Sequence, residues 1–281
     1  MENNQLNKFI KEILLLINNN DFINAELNTK KYLKKFPNSH ILNDLMGSIL
    51  INKKMFFESI EYYKKALNLD PNFVASILNM GVALQKLGRD TEAIFNFNTA
   101  LKKNSKLFTA YNNIGFILNR QGKYKEAVVN LKKAIKINPN FAESYLNLGI
   151  SFQNLEKNYE AIKTYKKALI LKENFYDVYF NLGEIYIKID KPKEALEHFL
   201  KSKNRKTNEK LLECLFLLNL KKEYTKLIET LDKKDPNNRG IASISAYISN
   251  QFNIPNSYNY CPQPLDFIFK INLNQSINNF G

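Results

Sequence analysis

The chain has 281 residues, 44% of them hydrophobic and 24% charged, which excludes wholesale disorder, and its nine Gly and eight Pro are too few for a turn-rich β fold. Two Cys (Cys214, Cys261) and two His (His40, His198) cannot build a disulfide framework or a His/Cys zinc site. The net charge of +14 follows a Lys, Asn and Ile bias that runs through the whole sequence, so by itself it names no ligand.

Near the start, the longest apolar run is Ile13–Ile17, too short for a signal-peptide core or a membrane span. A soluble cytoplasmic protein without membrane contact is expected. Residues 6–39 carry Phe9, Leu16, Ala25 and Pro37 in the phase of a repeat that becomes explicit further on, with Ile13 where later units have glycine. From there Gly47, Gly81, Gly115, Gly149 and Gly183 recur every 34 residues. Twelve residues after each glycine stands a small residue: Ser59, Ala93, Ala127, Ala161 and Ala195. Four further on comes a large one (Tyr63, Phe97, Leu131, Tyr165, Phe199), and three beyond that Ala66, Ala100, Ala134, Ala168 and Ser202.

This pattern predicts two antiparallel helices per unit. Tyr111, Ile114 and Leu118 follow the spacing of one helical face. Gly115 and Ala127 are small because the unit's two helices cross closely there. Gly88 and Gly122 sit where a first helix ends, as a left-handed cap requires. Pro71 and Pro139 follow second helices and block their continuation. Past residue 207 the register fails. Residues 208–233 read as a short hairpin without the glycine, with Tyr224 two residues early, and a final helix is predicted from about Arg239 to Phe252. The tail from Asn253 to Gly281, with Pro255, Pro262 and Pro264, shows no repeat.

A large residue four before each glycine, an aliphatic just before it and an aromatic or aliphatic three after it resemble the tetratricopeptide repeat (TPR) family. The family's Trp slot holds Asn43, Ile77, Tyr111, Tyr145 and Tyr179. The resemblance divides the chain into a degenerate N-terminal repeat (1–39), five full repeats (40–207), degenerate capping helices (208–252) and an irregular tail or start of a truncated domain (253–281). It implies an all-α fold: a right-handed superhelical solenoid of antiparallel helix pairs whose first helices line a concave groove.

On those first helices, Asn79, Asn113, Asn147 and Asn181 stand two residues before successive glycines. An amide offers two donors and an acceptor, so a row of them can bond the backbone of an extended peptide without reading its sequence. The resemblance implies such a use, since members of the family bind peptides through an Asn ladder at this slot. Beside the row lie Leu78, Asn112, Leu146 and Phe180 on one side and Val82, Phe116 and Ile150 on the other, which in the middle repeats form an apolar stripe. The Lys-x3-Asn, Asn, Lys-x3-Arg series of a carboxylate clamp is absent, although Lys86 and Arg120 lie near the groove. Lysine pairs (Lys30-Lys31, Lys64-Lys65, Lys132-Lys133, Lys166-Lys167) fall on the second helices and read as a solvated outer face, with no aromatic platform of the kind single-strand binding prefers.

No phosphate loop, dinucleotide fingerprint, His-Glu-x-x-His or His-x-Asp is present, so no catalytic residue, cofactor or metal is expected, and Cys214 reads as core. These readings converge on a non-catalytic protein-protein interaction scaffold holding an extended or short helical peptide segment in its groove, with nucleic acid not expected as a partner. The tail "PNSYNYCPQPLDFIFKINL" is similar to the junction of TPR proteins fused to a 2-oxoglutarate/iron(II) dioxygenase. That likeness implies an alternative, the substrate-recruiting arm of a dioxygenase or glycosyltransferase whose catalytic domain is absent from this chain.

Overall fold

The computed structural model describes residues 2–204, 206–234, 238–256 and 258. Cys261, Pro262, Pro264 and the dioxygenase-like tail motif lie outside the described residues, apart from the motif's first residues. Among the described residues there are fifteen α-helices and no strand, and the chain divides between Thr164 and Tyr165 into two compact bodies.

The N-terminal body contains α1 (Glu2–Asn18), α2 (Phe22–Lys35), α3 (His40–Asn52), α4 (Phe56–Leu69), α5 (Val74–Lys86), α6 (Asp90–Lys103), α7 (Phe108–Arg120), α8 (Tyr124–Ile137), α9 (Ala142–Asn154) and the first turns of α10 (Asn158–Leu171). Helices pair as the 34-residue phase requires. The closest packing is between α3 and α4, α5 and α6, and α7 and α8, and each pair then meets the next through α4 with α5, α6 with α7 and α8 with α9. First helices also lie side by side, α3 with α5, α5 with α7 and α7 with α9.

The glycines are explained by what stands across the pair. A Cβ on Gly47, Gly81 or Gly115 would come within 2.6, 2.7 or 2.5 Å of Tyr63, Phe97 or Leu131, each fully buried on the second helix. The large residue of the second helix therefore occupies the space where a side chain on the first would be. The small slot is filled by Ser59, Ala93 and Ala127, all fully buried. Two apolar clusters follow, one around Ile13, Ala25, Leu42 and Ile49, the other running from Tyr63 through Phe97, Ile114 and Ile117 to Leu131 and Leu148.

Between the helices of a pair the chain takes one left-handed residue, and it recurs at the same phase. Gly88 and Gly122 have φ of +75° and +74°, and Asn20, Lys54, Glu156 and Asp190 take the same conformation without being glycine. Between pairs, Asp70, Asn104 and Asn138 accept from the backbone N–H two residues on at 2.9–3.1 Å, side-chain turns that end each second helix.

The C-terminal body contains the remainder of α10 with α11 (Tyr176–Lys188), α12 (Pro192–Lys201), α13 (Thr207–Leu217), α14 (Lys221–Lys234) and α15 (Arg239–Phe252). Gly183 again faces Phe199, whose ring would lie 2.6 Å from an added Cβ. Cys214 is fully buried in this body, and burial pushes its thiol up to about 12. The expected final helix is α15. Tyr224 is not a displaced copy of the aromatic that opens a second helix. Counted from the left-handed Asn219, it takes the small slot that Ala195 takes after Asp190. In this slot the Tyr224 ring packs edge-on against Phe252 of α15, and its hydroxyl donates to the Ser245 carbonyl of the same helix at 3.1 Å.

Candidate functional site

Whether the four asparagines can serve a ligand depends on the residues of the preceding repeat. On α3 the carboxylate of Asp44, three residues before Gly47, accepts from the Ser76 hydroxyl of α5 at 2.8 Å and, at a long 3.5 Å, from the Asn79 amide. Asn79 also donates to Ser48 at 3.4 Å, and Ser48 meets the Tyr63 hydroxyl at 3.2 Å. Two repeats later the same contact is rebuilt. Asn112 on α7 accepts from Ser144 and from Asn147 of α9, both at 3.1 Å. Asn119 and Ser151 extend that clasp: the Asn119 amide donates to the Asn147 carbonyl at 2.8 Å and accepts from the Ser151 hydroxyl at 2.7 Å. Burial raises the Asp44 pKa, opposed by the bonds from Ser76 and Asn79.

Between these two clasps the chemistry changes. Leu78 takes the slot of Asp44 and Asn112, and Ala110 takes the slot of Ser76 and Ser144. The α5–α7 contact is then apolar, part of the cluster containing Leu78, Val82, Ala110 and Ile114. Leu78 offers no acceptor to Asn113, whose side chain is half-buried and, among the described residues, accepts only from neighbouring Asn112 at 3.3 Å. Three residues on, Phe116 is 41% exposed, and the Arg120 guanidinium lies 5.9 Å from its ring centroid while ion-paired with Asp90.

The expected site residues therefore separate. Leu78, Val82, Asn113, Phe116, Leu146 and Ile150 are half-buried or exposed on the adjacent helices α5, α7 and α9. Asn79 is half-buried and engaged with Asp44 and Ser48. Asn112 and Asn147 are each 7% exposed and bonded to one another, so their amides fasten repeats together and are not presented to solvent. In the C-terminal body, Phe180 is buried edge-on against Phe199, and half-buried Asn181 bonds the Tyr165 hydroxyl. A uniform row of open amides is thus not what the chain forms: the residue one repeat earlier supplies the partner of Asn79 and of Asn147, while Asn181 bonds Tyr165 of α10 instead.

The outer face also differs from the expected solvated lysine stripe. Lys30 and Lys64 pair with Glu26 and Glu61, and Lys65 and Lys133 lie over the rings of Tyr62 and Tyr111. Large apolar side chains stand beside the lysines, with Ile23, Leu27, Phe57, Phe95, Val129 and Tyr159 each at least 54% exposed on second helices. Sequence reasoning missed this row, although its members recur at two slots four residues apart. Among the described residues no group of His, Cys, Asp or Glu is placed to hold a metal ion, and no helix is long and apolar enough to cross a membrane.

Three family models match the chain, described as TPR repeat over residues 117–156 and as tetratricopeptide repeat over 62–95 and over 42–73, 142–175 and 176–208. Comparison with curated proteins gives no match. Among solved structures, Pseudomonas aeruginosa PilF is similar at 18% identity and a TM-score of 0.65, covering 74% of this chain and 97% of PilF. PilW, a type IV pilus biogenesis factor, is similar at 16% identity and a TM-score of 0.66, covering 73% of this chain and 97% of its own. YrrB, described as a TPR protein with an unusual peptide-binding site, is similar at 20% identity and a TM-score of 0.51, covering 69% of this chain and 97% of its own. At these identities the likeness is one of fold. With its period, its glycine-to-ring crossings and the matched segments in agreement, the chain belongs to the tetratricopeptide repeat family.

Proposed function

We propose that this chain is a non-catalytic protein-protein interaction module that takes an extended or short helical peptide segment against α5, α7 and α9, centred on Asn113 and Phe116. The observation that carries the reading is the gap between the two clasps. There an exposed ring and an amide with no inter-repeat acceptor among the described residues stand on α7, between α5 with half-buried Leu78 and Val82 and α9 with half-buried Leu146 and Ile150. A peptide would cover the ring and the aliphatic side chains and give the amide backbone partners, the two terms that make such interfaces bind. YrrB, a TPR protein with a peptide-binding site, supports the class of ligand.

The test uses phage-displayed peptides selected on the full chain, with affinities then measured by fluorescence anisotropy. Covering the open part of Phe116 removes on the order of 80 Å² of apolar surface from water, about 2 kcal/mol, so Phe116→Ala should weaken binding roughly thirtyfold. Asn113→Ala should weaken it about two- to tenfold. Both side chains are partly exposed, so helicity should be retained. Selected peptides that bind Phe116→Ala as tightly as the wild type would place the site elsewhere.

A further inference from the structure

On the outer side of the first two repeats, α2 and α4 enclose an open cleft of about 610 Å³ lined by Leu27, Lys30, Lys31, Leu33, Lys34 and Tyr62. Its composition is specific to this pair of helices. At the slot of Tyr62 the other repeats of this body carry Asn28, Asn96, Asn130 and Thr164, so only here does an aromatic ring form a floor. Leu33 and Tyr62 are half-buried, Leu27 stands exposed at the edge, and the lysines form the rim. Lys65, outside the lining, lies 4.8 Å from the Tyr62 ring centroid.

The carboxylates nearby are already engaged. Glu26 accepts from both Lys30 and Lys53, which hold its pKa below the usual carboxylate range, and Glu61 pairs with Lys64. Among the described residues no carboxylate pairs with Lys31 or Lys34. The cleft therefore offers unneutralised cations around a recessed apolar floor.

We propose that this cleft is a second docking surface, for an acidic amphipathic segment of a protein partner. Such a segment sets an apolar side chain against Leu27, Leu33 and Tyr62 and its carboxylates against Lys31 and Lys34. A charged lipid surface is the poorer complement. A bilayer meets residues that project, whereas Leu33 and Tyr62 lie half-buried behind the lysines. A side chain borne on a peptide can reach them.

The probe is a fluorescein-labelled twelve-residue peptide of Glu and Leu, titrated into the full chain at about 50 mM salt, with a Gln-for-Glu version as its neutral control. Binding of the Glu peptide but not the Gln peptide is expected. Lys31→Glu with Lys34→Glu should weaken binding about tenfold or more. Lys132→Glu with Lys133→Glu, the same charge change on the equivalent turn of α8, should change it less than about twofold. Leu27→Ser should also weaken it, while Phe116→Ala leaves it intact, which separates this cleft from the inner site. No binding by the wild type would overturn the proposal. So would equal loss from the two lysine pairs, or anionic phosphatidylserine vesicles that respond to the Lys31/Lys34 change when the peptide does not.

Discussion

Asp44 is a carboxylate where the equivalent clasp has an amide, and exchanging it for that amide separates the hydrogen bonds from the charge. Only 8% of Asp44 is exposed, and it accepts from the fully buried Ser76 hydroxyl. Asp44→Ala removes a charge-assisted bond and strands that hydroxyl, a loss of about 2 kcal/mol. Asp44→Asn keeps an acceptor in place, as Asn112 does for Ser144 and Asn147, and removes the buried charge. Burial raises the folded pKa of Asp44 above its ordinary 3.8. Its contribution is therefore present below that ordinary value and is lost as pH rises through the folded pKa, because ionisation then opposes burial. Asp44→Asn should consequently match the wild type near pH 3 and exceed it at pH 7, by about 1 kcal/mol or less. Melting temperatures of the three proteins at pH 3.5, 5 and 7 check this. If Asp44→Asn falls with Asp44→Ala at pH 7, the charge itself holds the clasp and the reasoning from Asn112 is wrong.

Other perturbations act on single terms. Gly115→Ala sets a methyl 2.5 Å from Leu131 Cγ and should lower stability by about 1–3 kcal/mol. In a cycle with Leu131→Ala that strain should vanish, so denaturant midpoints of the double variant should show less than the summed loss. Lys54→Gly should raise the melting temperature, by about 0.5 kcal/mol or more in stability, since Lys54 holds a φ of 62° at the slot where Gly88 and Gly122 serve without strain. His198 lies edge-on to Tyr179 and Tyr186 with neither ring nitrogen hydrogen-bonded among the described residues, and burial, aided by Lys201, lowers its pKa from 6.5. The unfolded chain then binds the proton better, so stability is lost as pH falls below about 6.5. His198→Phe should melt later than the wild type at pH 5.5 and show a smaller difference at pH 7.5.

The 34-residue phase was legible because it is a steric contract within one hairpin. Gly115 and Leu131 are sixteen residues apart and each makes sense of the other. The left-handed residues were half legible. Gly88 and Gly122 announced the turn, but Lys54 and Asp190 take it because the paired helices impose it, overriding local preference. The clasps were not legible from a column read alone. Asn113 and Asn147 are the same residue in the same slot, and one is half-buried while the other is bonded away. What separates them is Leu78 against Asn112, 35 residues earlier in each case. The signal lay in two columns read together, Asp44, Leu78 and Asn112 against Ser76, Ala110 and Ser144, which alternate in step. The outer apolar row escaped because one of its slots mixes Ile23, Phe57 and Tyr159 with Thr91 and Lys125, and the other Leu27, Phe95 and Val129 with Glu61 and Lys163, so neither looks apolar by itself.

That pairing rule can be turned on the proposed site. Leu78→Asn with Ala110→Ser copies the α7–α9 clasp into the α5–α7 contact, supplying the acceptor that Asn113 lacks. The amide of Asn113 should then bond residue 78 as Asn147 bonds Asn112, and the new serine should do as Ser144 does. Two hydrogen bonds of about 1 kcal/mol each offset the half-buried leucine that is lost, so stability should change little. Peptide affinity should fall about tenfold or more, because Asn113 is withdrawn and Leu78 no longer faces the ligand with an apolar surface. Amide exchange in α7 separates the two possible failures. Slower exchange with undiminished peptide binding would show that the clasp had formed and that Asn113 was never a ligand. Unchanged exchange would show instead that the alternation of polar and apolar columns does not govern how these repeats join.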